Sequence, residues 1–315
     1  MEKIKIFSAS ESAQKFTQEI CEHLGIEQGK ITSFKFKNDN NFCQILETVR
    51  QSDVYIIQTT EPPVNERIME LLITVDAAKR ASAKEITVVL PYFPYSRSDK
   101  KDQPRIPITA KLIATMIESA GATRVLTCDL HNKAIQAYFN NINCDTLTGR
   151  FLLEHHFLDK KLDDMVIVAT DAGSSKTAYK YAEFFGCPIA LVDKRRDDNN
   201  DRAIASTIIG EVKNKNCLIF DDEISTAGSI METVKVLEEH GAKAIYAGCT
   251  HGILCGPAIE RIKNSSIKEL AITNTVPLPP EKQIDQIKVL SIAPLFAEAI
   301  RRINEQRPFT DLFER

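Results

Sequence analysis

The sequence predicts a doubly wound α/β protein with parallel sheets, divided into two domains. Three observations predict it. Short apolar runs alternate with amphipathic stretches along the whole chain. A length of 315 residues suits two domains of ordinary size. An apolar content of 43% is enough to give each a real core. In the first half, strands are expected over 4–7, 54–57, 86–90 and 125–128, with helices over 10–24, 65–80 and 109–120 between them. In the second half, strands are expected over 166–169, 189–192, 217–220, 245–248 and 270–272, with helices over 174–185 and 229–240. A last amphipathic stretch, 292–303, is expected to pack back on the first half. The boundary falls near 145–150, giving domains 1–147 and 148–315. No clean internal repeat and no low-complexity segment is visible.

Bulk properties exclude several classes. A net charge of −3 gives no reason to expect nucleic acid or an anionic membrane as partner. Basic residues cluster only locally, at Lys100-Lys101 and Lys194-Arg195-Arg196, as suits a phosphorylated small molecule. The eight cysteines are scattered without a CxxC pair and read as small buried hydrophobes of a reducing cytosol. With no signal peptide and no run of 18 apolar residues, the expectation is a cytoplasmic protein.

The stretch 217–230, CLIFDDEISTAGSI, is the most informative. An apolar run ends in Asp221 and Asp222, a turn of small residues follows from Ser225 through Thr226, Ala227 and Gly228 to Ser229, and helical spacing begins. Such a strand–turn–helix offers N–H groups and hydroxyls to a phosphate at a helix N-terminus. Paired acids at a strand end suit ribose hydroxyls or magnesium. The competing reading is an ordinary βα turn with a capped helix.

Four further segments have the same ambiguity. After strand 86–90, a polar loop over 93–106 carries Arg97, Ser98, Lys100 and Lys101, and reads as a lid or as solvated surface. Asp129 and His131 sit at the end of strand 125–128, on one side of an extended segment, where α/β sheets bind ligands. They could hold magnesium or a phosphate, or His131 could be satisfied locally. Asp171, before Gly173-Ser174-Ser175, repeats the strand–acid–loop–helix pattern, and Asp171 or Ser174 could equally be a helix cap. Lys194, Arg195 and Arg196 could neutralise a transferring phosphoryl group or be a solvated charge run. No GxxxxGK[ST] sequence exists, which excludes a Walker-type nucleotide site.

Taken in order, these segments resemble class I ribose-phosphate pyrophosphokinases, also called PRPP synthetases. The resemblance covers nearly the whole chain. It rests on 53–58 (DVYIIQ), 91–93 (PYF), 105–111 (RIPITAK), 125–131 (VLTCDLH), 193–196 (DKRR), 220–229, Thr250-His251, 275–278 (TVPL) and 297–303 (AEAIRRI). The 221–229 stretch also resembles the D-D-x-x-D-T-G-G-T motif of the type I phosphoribosyltransferase fold. The resemblance implies two tandem type I phosphoribosyltransferase-like domains, each a mainly parallel sheet flanked by helices, with the ATP side in the first and the ribose 5-phosphate site in the second. It implies transfer of the β,γ-diphosphoryl group of ATP to the anomeric hydroxyl of ribose 5-phosphate.

By position, Lys194 and Arg196 would act in catalysis. Phe36, Asn38, Asn40, Arg97, Ser98 and His131 would meet ATP. Arg196, Asp221, Asp222, Ser225, Thr226, Ala227, Gly228 and Ser229 would hold ribose 5-phosphate, and His131 and Asp171 would serve Mg2+. A homohexamer regulated by ADP or phosphate is implied as well.

The chain departs from the family pattern within these motifs. The third acid of D-D-x-x-D is Ser225, and the first glycine of the turn is Ala227, although alanine tolerates positive φ worse than glycine. The adenine segment F-x-D-G-E reads Phe36-Lys37-Asn38-Asp39-Asn40, so two carboxylates become amides. Ser98 replaces the glutamine that follows the lid arginine, and the lid is one residue shorter. These changes leave two alternatives beside an active synthetase: a catalytically weak regulatory paralogue, or a phosphoribosyltransferase that consumes PRPP.

Overall fold

In a computed structural model the chain is described over residues 4–196, 203–308 and 310–312; for 194–196, 203–206 and 311 the description is of the backbone. It divides into two compact units. The first comprises 1–149, 274–277 and 291–315, and the second 150–273 and 278–290.

In the first unit, β1 (Ile4–Ser8), α1 (Gln14–Leu24), the hairpin β2 (Ile31–Lys35) and β3 (Asn41–Ile45), β4 (Asp53–Ile57), α2 (Val64–Arg80), β5 (Glu85–Leu90), α3 (Thr109–Ala120), β6 (Arg124–Cys128) and β7 (Asn143–Leu147) follow one another. Strands β1, β4, β5, β6 and β7 form a parallel sheet in that order, and β2 pairs with β3 apart from it. The apolar runs read from sequence are its central strands: Ile56, Val88, Leu90 and Val125 are fully buried under Leu71, Val75, Ala114 and Ile117 of α2 and α3.

Helix α1 begins four residues later than 3.6-residue periodicity suggests, because the preceding serines have other partners. The Ser10 hydroxyl donates to the Gln58 side chain (2.6 Å), and the Gln58 amide donates to the Arg67 carbonyl (2.8 Å). This buried network ties the loop after β1 to α2, and leaves the first α1 turn at Gln14.

In the second unit, α4 (Arg150–Asp159), β8 (Met165–Ala169), α5 (Ser175–Phe185), β9 (Ile189–Arg196), β10 (Ala203–Ile209), β11 (Asn216–Ile224), α6 (Gly228–Glu239), β12 (Ala244–Gly252), α7 (Ala258–Lys263), β13 (Ile267–Thr273) and β14 (Ile287–Leu290) follow. The sheet order is β10-β9-β8-β11-β12-β13-β14, parallel except for β10. Helix α8 (Ala293–Asn304) belongs to the first unit. Its Phe296 meets Phe16 of α1 edge to face at 5.6 Å, and Arg301 donates to the His23 carbonyl at 2.9 Å. Its apolar stripe is thereby covered. Among the described residues, no helix is long and apolar enough to cross a membrane.

The two units differ in a way that periodicity does not reveal. Strands of the first sheet lie in chain order. In the second, β8 has β9 on one side and β11 on the other, so the winding reverses at β8/β11. A reversal of this kind opens a crevice at the carboxyl ends of the two strands.

One buried acid gives this unit a pH dependence. Glu154 on α4 is fully buried, accepts from Arg150 at 3.1 Å, and leaves Oε2 without a partner. Burial pushes its carboxyl up to about 7, against the opposing pull of Arg150 and His155. A carboxyl raised on folding stabilises below its unfolded pKa, about 4.3, and that contribution fades as pH rises through its folded value. Glu154→Gln should therefore melt progressively higher than wild type as pH goes from about 5 to about 8. Thermal denaturation across that range checks this; parallel curves would contradict it.

Candidate active site

The site is clearest in the second unit, at the β8/β11 reversal. Strand β11 runs to Ile224, beyond the expected end at Phe220, because β12 stays beside it: Asp221 is opposite Cys249 and Glu223 opposite His251. Strand β8 stops at Ala169, so beyond Ile219, opposite Val168, the other edge of β11 is left to the crevice. Asp221 and Asp222 lie on this stretch. The Asp222 N–H donates to Asp221 Oδ1 at 2.9 Å. Burial holds the Asp221 carboxyl well above the usual range; the Asp222 side chain, by hydrogen bond and charge, and the charge of Asp171 add to this, against the opposing pull of the Asp222 N–H. Burial pushes up the Cys249 thiol, and the charges of Asp221 and Asp222 add to it.

An acid pair that strains against its own charge suits a ligand bringing hydroxyl donors or a cation. Among the described residues, no three His, Cys, Asp or Glu side chains form a ready-made cage. Magnesium is commonly held by only one or two carboxylates together with substrate phosphates and water, so these carboxylates fit that mode. Asp171 is exposed in the neighbouring loop, where Oδ1 accepts from the Ser174 N–H at 2.8 Å. The Asp171 side chain thus closes a local turn before α5 and presents its acidic group at the crevice mouth.

The turn after β11 is shaped for an anion. Ala227 is the N-cap of α6 with φ 60° and ψ 13°, in the left-handed region that alanine adopts at a cost of roughly 1–2 kcal/mol. Its methyl is buried in the core of this unit. Gly228 begins the helix, and Ser225, Thr226 and Ser229 flank the turn, Thr226 and Ser229 exposed. A segment after β12 backs it. The Leu254 N–H donates to the Ile224 carbonyl (3.1 Å), and the Cys255 N–H to the Ser225 carbonyl (2.9 Å). Arg261 Nη1 donates to the Thr226 carbonyl (2.8 Å), and the Ser225 hydroxyl meets Cys255 Sγ at 3.2 Å.

Lys194 and Arg196 are in strand β9, not in a loop: β10 pairs with it antiparallel, with Ser206 opposite Lys194 and Ala203 opposite Arg196. Their side chains, and Asp197 and Asp198, lie outside the described residues.

In the first unit, Phe36, Asn38 and Asn40 occupy the tip of the β2–β3 hairpin. The Phe36 N–H donates to the Asn40 carbonyl (2.8 Å), and Asp39 turns with φ 68°. Phe34, Phe36 and Phe42 form an aromatic cluster, with centroids of Phe34–Phe36 5.0 Å apart and of Phe34–Phe42 4.8 Å. Phe36 remains 48% exposed, a flat apolar face available to a planar base. The Asn38 side-chain oxygen accepts from the Asn40 N–H at 3.3 Å, which leaves its amide NH2 as a donor.

The segment 93–106 has two parts. Phe93 is buried against Phe139, Ser96 and Asp99 are buried, and the Asn132 amide donates to Asp99 Oδ2 (2.6 Å). Arg97 is exposed and Ser98 half-buried, with the Ser98 N–H bonded to the Tyr95 carbonyl. Residues 100–105 are exposed throughout.

His131 is exposed beyond β6, but the alternation expected for Asp129 fails. Asp129 has φ 34°, and its Oδ2 accepts from the Gly149 N–H (2.8 Å), while its own N–H bonds the Leu147 carbonyl. The carboxylate thus ties the segment after β7 to the end of β6. Sequence reasoning also missed Cys255 and Arg261. Gly256-Pro257 marks a turn there, but nothing in the sequence says that the turn returns to the 225–228 segment.

Comparison with known proteins covers the same elements. The model of the N-terminal domain of ribose phosphate pyrophosphokinase matches residues 4–121, and that of the phosphoribosyl synthetase-associated domain matches 199–314. Ribose-phosphate pyrophosphokinase of Caldanaerobacter subterraneus subsp. tengcongensis is 50% identical over 311 residues, 98% of either chain. The chain belongs to the ribose-phosphate pyrophosphokinase family. The Bacillus subtilis pyrophosphokinase is 47% identical over 310 residues, 98% of this chain and 97% of that one. The crystal structure of phosphoribosylpyrophosphate synthetase from Mycobacterium smegmatis superposes with a TM-score of 0.91 at 36% identity, over 97% of this chain and all of that one. The pyrophosphokinase fold thus accounts for both sheets, the hairpin and α8.

Proposed function

We propose that this chain is an active ribose-phosphate diphosphokinase, which makes PRPP and AMP from ATP and ribose 5-phosphate. The observation that carries the reading is the acid pair and anion-shaped turn at the β8/β11 reversal. Asp221 and Asp222 accept hydrogen bonds from the ribose hydroxyls, and the turn from Ser225 to Ser229 takes the 5-phosphate through its N–H groups and hydroxyls. Phe36 stacks on the base, while Asn38, Asn40, Arg97, Ser98 and His131 meet the nucleotide.

The anomeric oxygen attacks the β-phosphorus as its bond to the α-phosphate bridging oxygen breaks. AMP leaves, and the hydroxyl proton passes to solvent. Such a transfer asks for alignment and charge neutralisation more than for a strong base, and Lys194 and Arg196 neutralise the moving diphosphoryl group. His131 in the first unit and Asp171 in the second are each candidate ligands for Mg2+, which when bound would supply further charge neutralisation on the phosphates. No observation favours the regulatory or PRPP-consuming alternatives. A cytoplasmic homo-oligomer, hexameric by resemblance and sensitive to ADP or phosphate, belongs to the same reading.

AMP release that requires ATP, ribose 5-phosphate and Mg2+ together tests the reading; AMP release indifferent to ribose 5-phosphate would refute it. The hairpin adds a prediction on selectivity. With its oxygen engaged, Asn38 offers donors to the base, so a base bearing a carbonyl is rejected less than by a carboxylate. Asn38→Asp with Asn40→Glu should raise the ratio of kcat/KM for ATP over GTP by about tenfold, one hydrogen bond's worth. An unchanged ratio would contradict it.

A further inference from the structure

The structure assigns to Arg261 the role of a positioning residue: its guanidinium locks the Thr226–Ala227 peptide in the orientation that binds the phosphate. The inference rests on the assignment of the 225–229 turn to ribose 5-phosphate.

Three successive carbonyls, those of Ile224, Ser225 and Thr226, are drawn to one side by Leu254 N–H, Cys255 N–H and Arg261 Nη1. In a trans peptide the carbonyl and the following N–H point in opposite directions. The N–H groups of Ser225, Thr226 and Ala227 are therefore turned away from the 254–261 segment, in a row, as an anion nest requires. The first two carbonyls are held by backbone. The third is held by a side chain from α7, whose Nη1 also lies 3.4 Å from where a Cβ on Gly228 would be.

The third peptide is also the vulnerable one. Rotating it by half a turn would change φ of Ala227 from +60° to the ordinary negative region, relieving the strain of a left-handed alanine. The same rotation would point the Thr226 carbonyl at the phosphate and remove the Ala227 N–H from it. Arg261 opposes that flip by hydrogen-bonding the carbonyl in the binding orientation. Glycine at 227 would have no strain to relieve, so the clamp matters because this chain carries alanine there.

The test is a cycle of wild type, Arg261→Met, Ala227→Gly and the double variant in the full chain. Ribose 5-phosphate affinity is measured by calorimetry, with thermal midpoints as a check on folding. Arg261→Met should weaken binding by about tenfold, the factor that corresponds to the strain it restrains. In the Ala227→Gly background the same change should cost no more than about twofold. An Arg261→Met protein that binds like wild type overturns the inference. So does an equal loss in both backgrounds, which would mean a direct phosphate contact or general damage. A wild type that binds no ribose 5-phosphate would instead remove the site assignment, and the inference with it. ATP-dependent AMP release by wild type reads the functional proposal separately.

Discussion

Lys194→Ala should lower turnover on the order of 10²–10³-fold while ribose 5-phosphate affinity stays within a few-fold of wild type. The expectation follows from position and chemistry. Lys194 sits in β9 beyond Leu191, the last residue that pairs with the reversal strand β8, and begins the Lys-Arg-Arg run. A compact ammonium charge is well suited to a diphosphoryl group whose negative charge shifts during transfer, and a charge used mainly in the transition state affects kcat rather than binding. Steady-state AMP release, with calorimetry of ribose 5-phosphate on the same preparations, checks both halves. Unchanged turnover removes Lys194 from catalysis; a matched loss of affinity makes it a binding residue.

Asp221→Asn should separate stability from function. The carboxyl is raised by burial and by Asp222, so folding favours its protonated form. Its contribution to stability is present below the ordinary carboxylate pKa, about 4, and is lost as pH rises through the elevated folded value. The neutral amide escapes that loss, so the variant should melt higher than wild type without ligand, by a margin that grows with pH. Above the elevated folded value, where the wild-type carboxyl is ionised, it should also lose ribose 5-phosphate affinity by tenfold or more, since an amide accepts sugar hydroxyls less strongly than a carboxylate and carries no charge. Melting curves at acidic and alkaline pH, with binding at alkaline pH, decide it. A variant less stable than wild type at every pH would show that the pair is structurally satisfied.

Much of the scaffold was legible because central strands of parallel sheets are continuous apolar runs. The runs over 54–57, 86–90, 166–169 and 217–220 need no partner to be recognised. Helix α3 fell where its periodicity put it, over Thr109–Ala120. The β2–β3 hairpin was missed because its short strands are rich in polar residues and lie outside the main sheet. Strand β10 was missed because it pairs with the charged end of β9, which reads as loop.

In the site, Asp221, Asp222 and the small-residue turn could be found by local pattern alone. Their meaning depended on the β8/β11 reversal, a matter of strand order that no period encodes. At Asp129 the alternation argument lapses, because it assumes extended backbone and φ is 34° there. Arg261 was invisible because its partner, the Thr226 carbonyl, lies 35 residues away and is met through a side chain.

The central claim is that an intact diphosphoryl group moves from ATP to the anomeric oxygen of ribose 5-phosphate. Phosphorus NMR of a mixture of the protein, ATP, ribose 5-phosphate and Mg2+ tests it most directly. The account predicts equal growth of AMP and of a diphosphate ester coupled to the anomeric carbon, with no ADP and no free pyrophosphate at early times. ADP with a ribose bisphosphate, or no product at all from the folded protein, would contradict it.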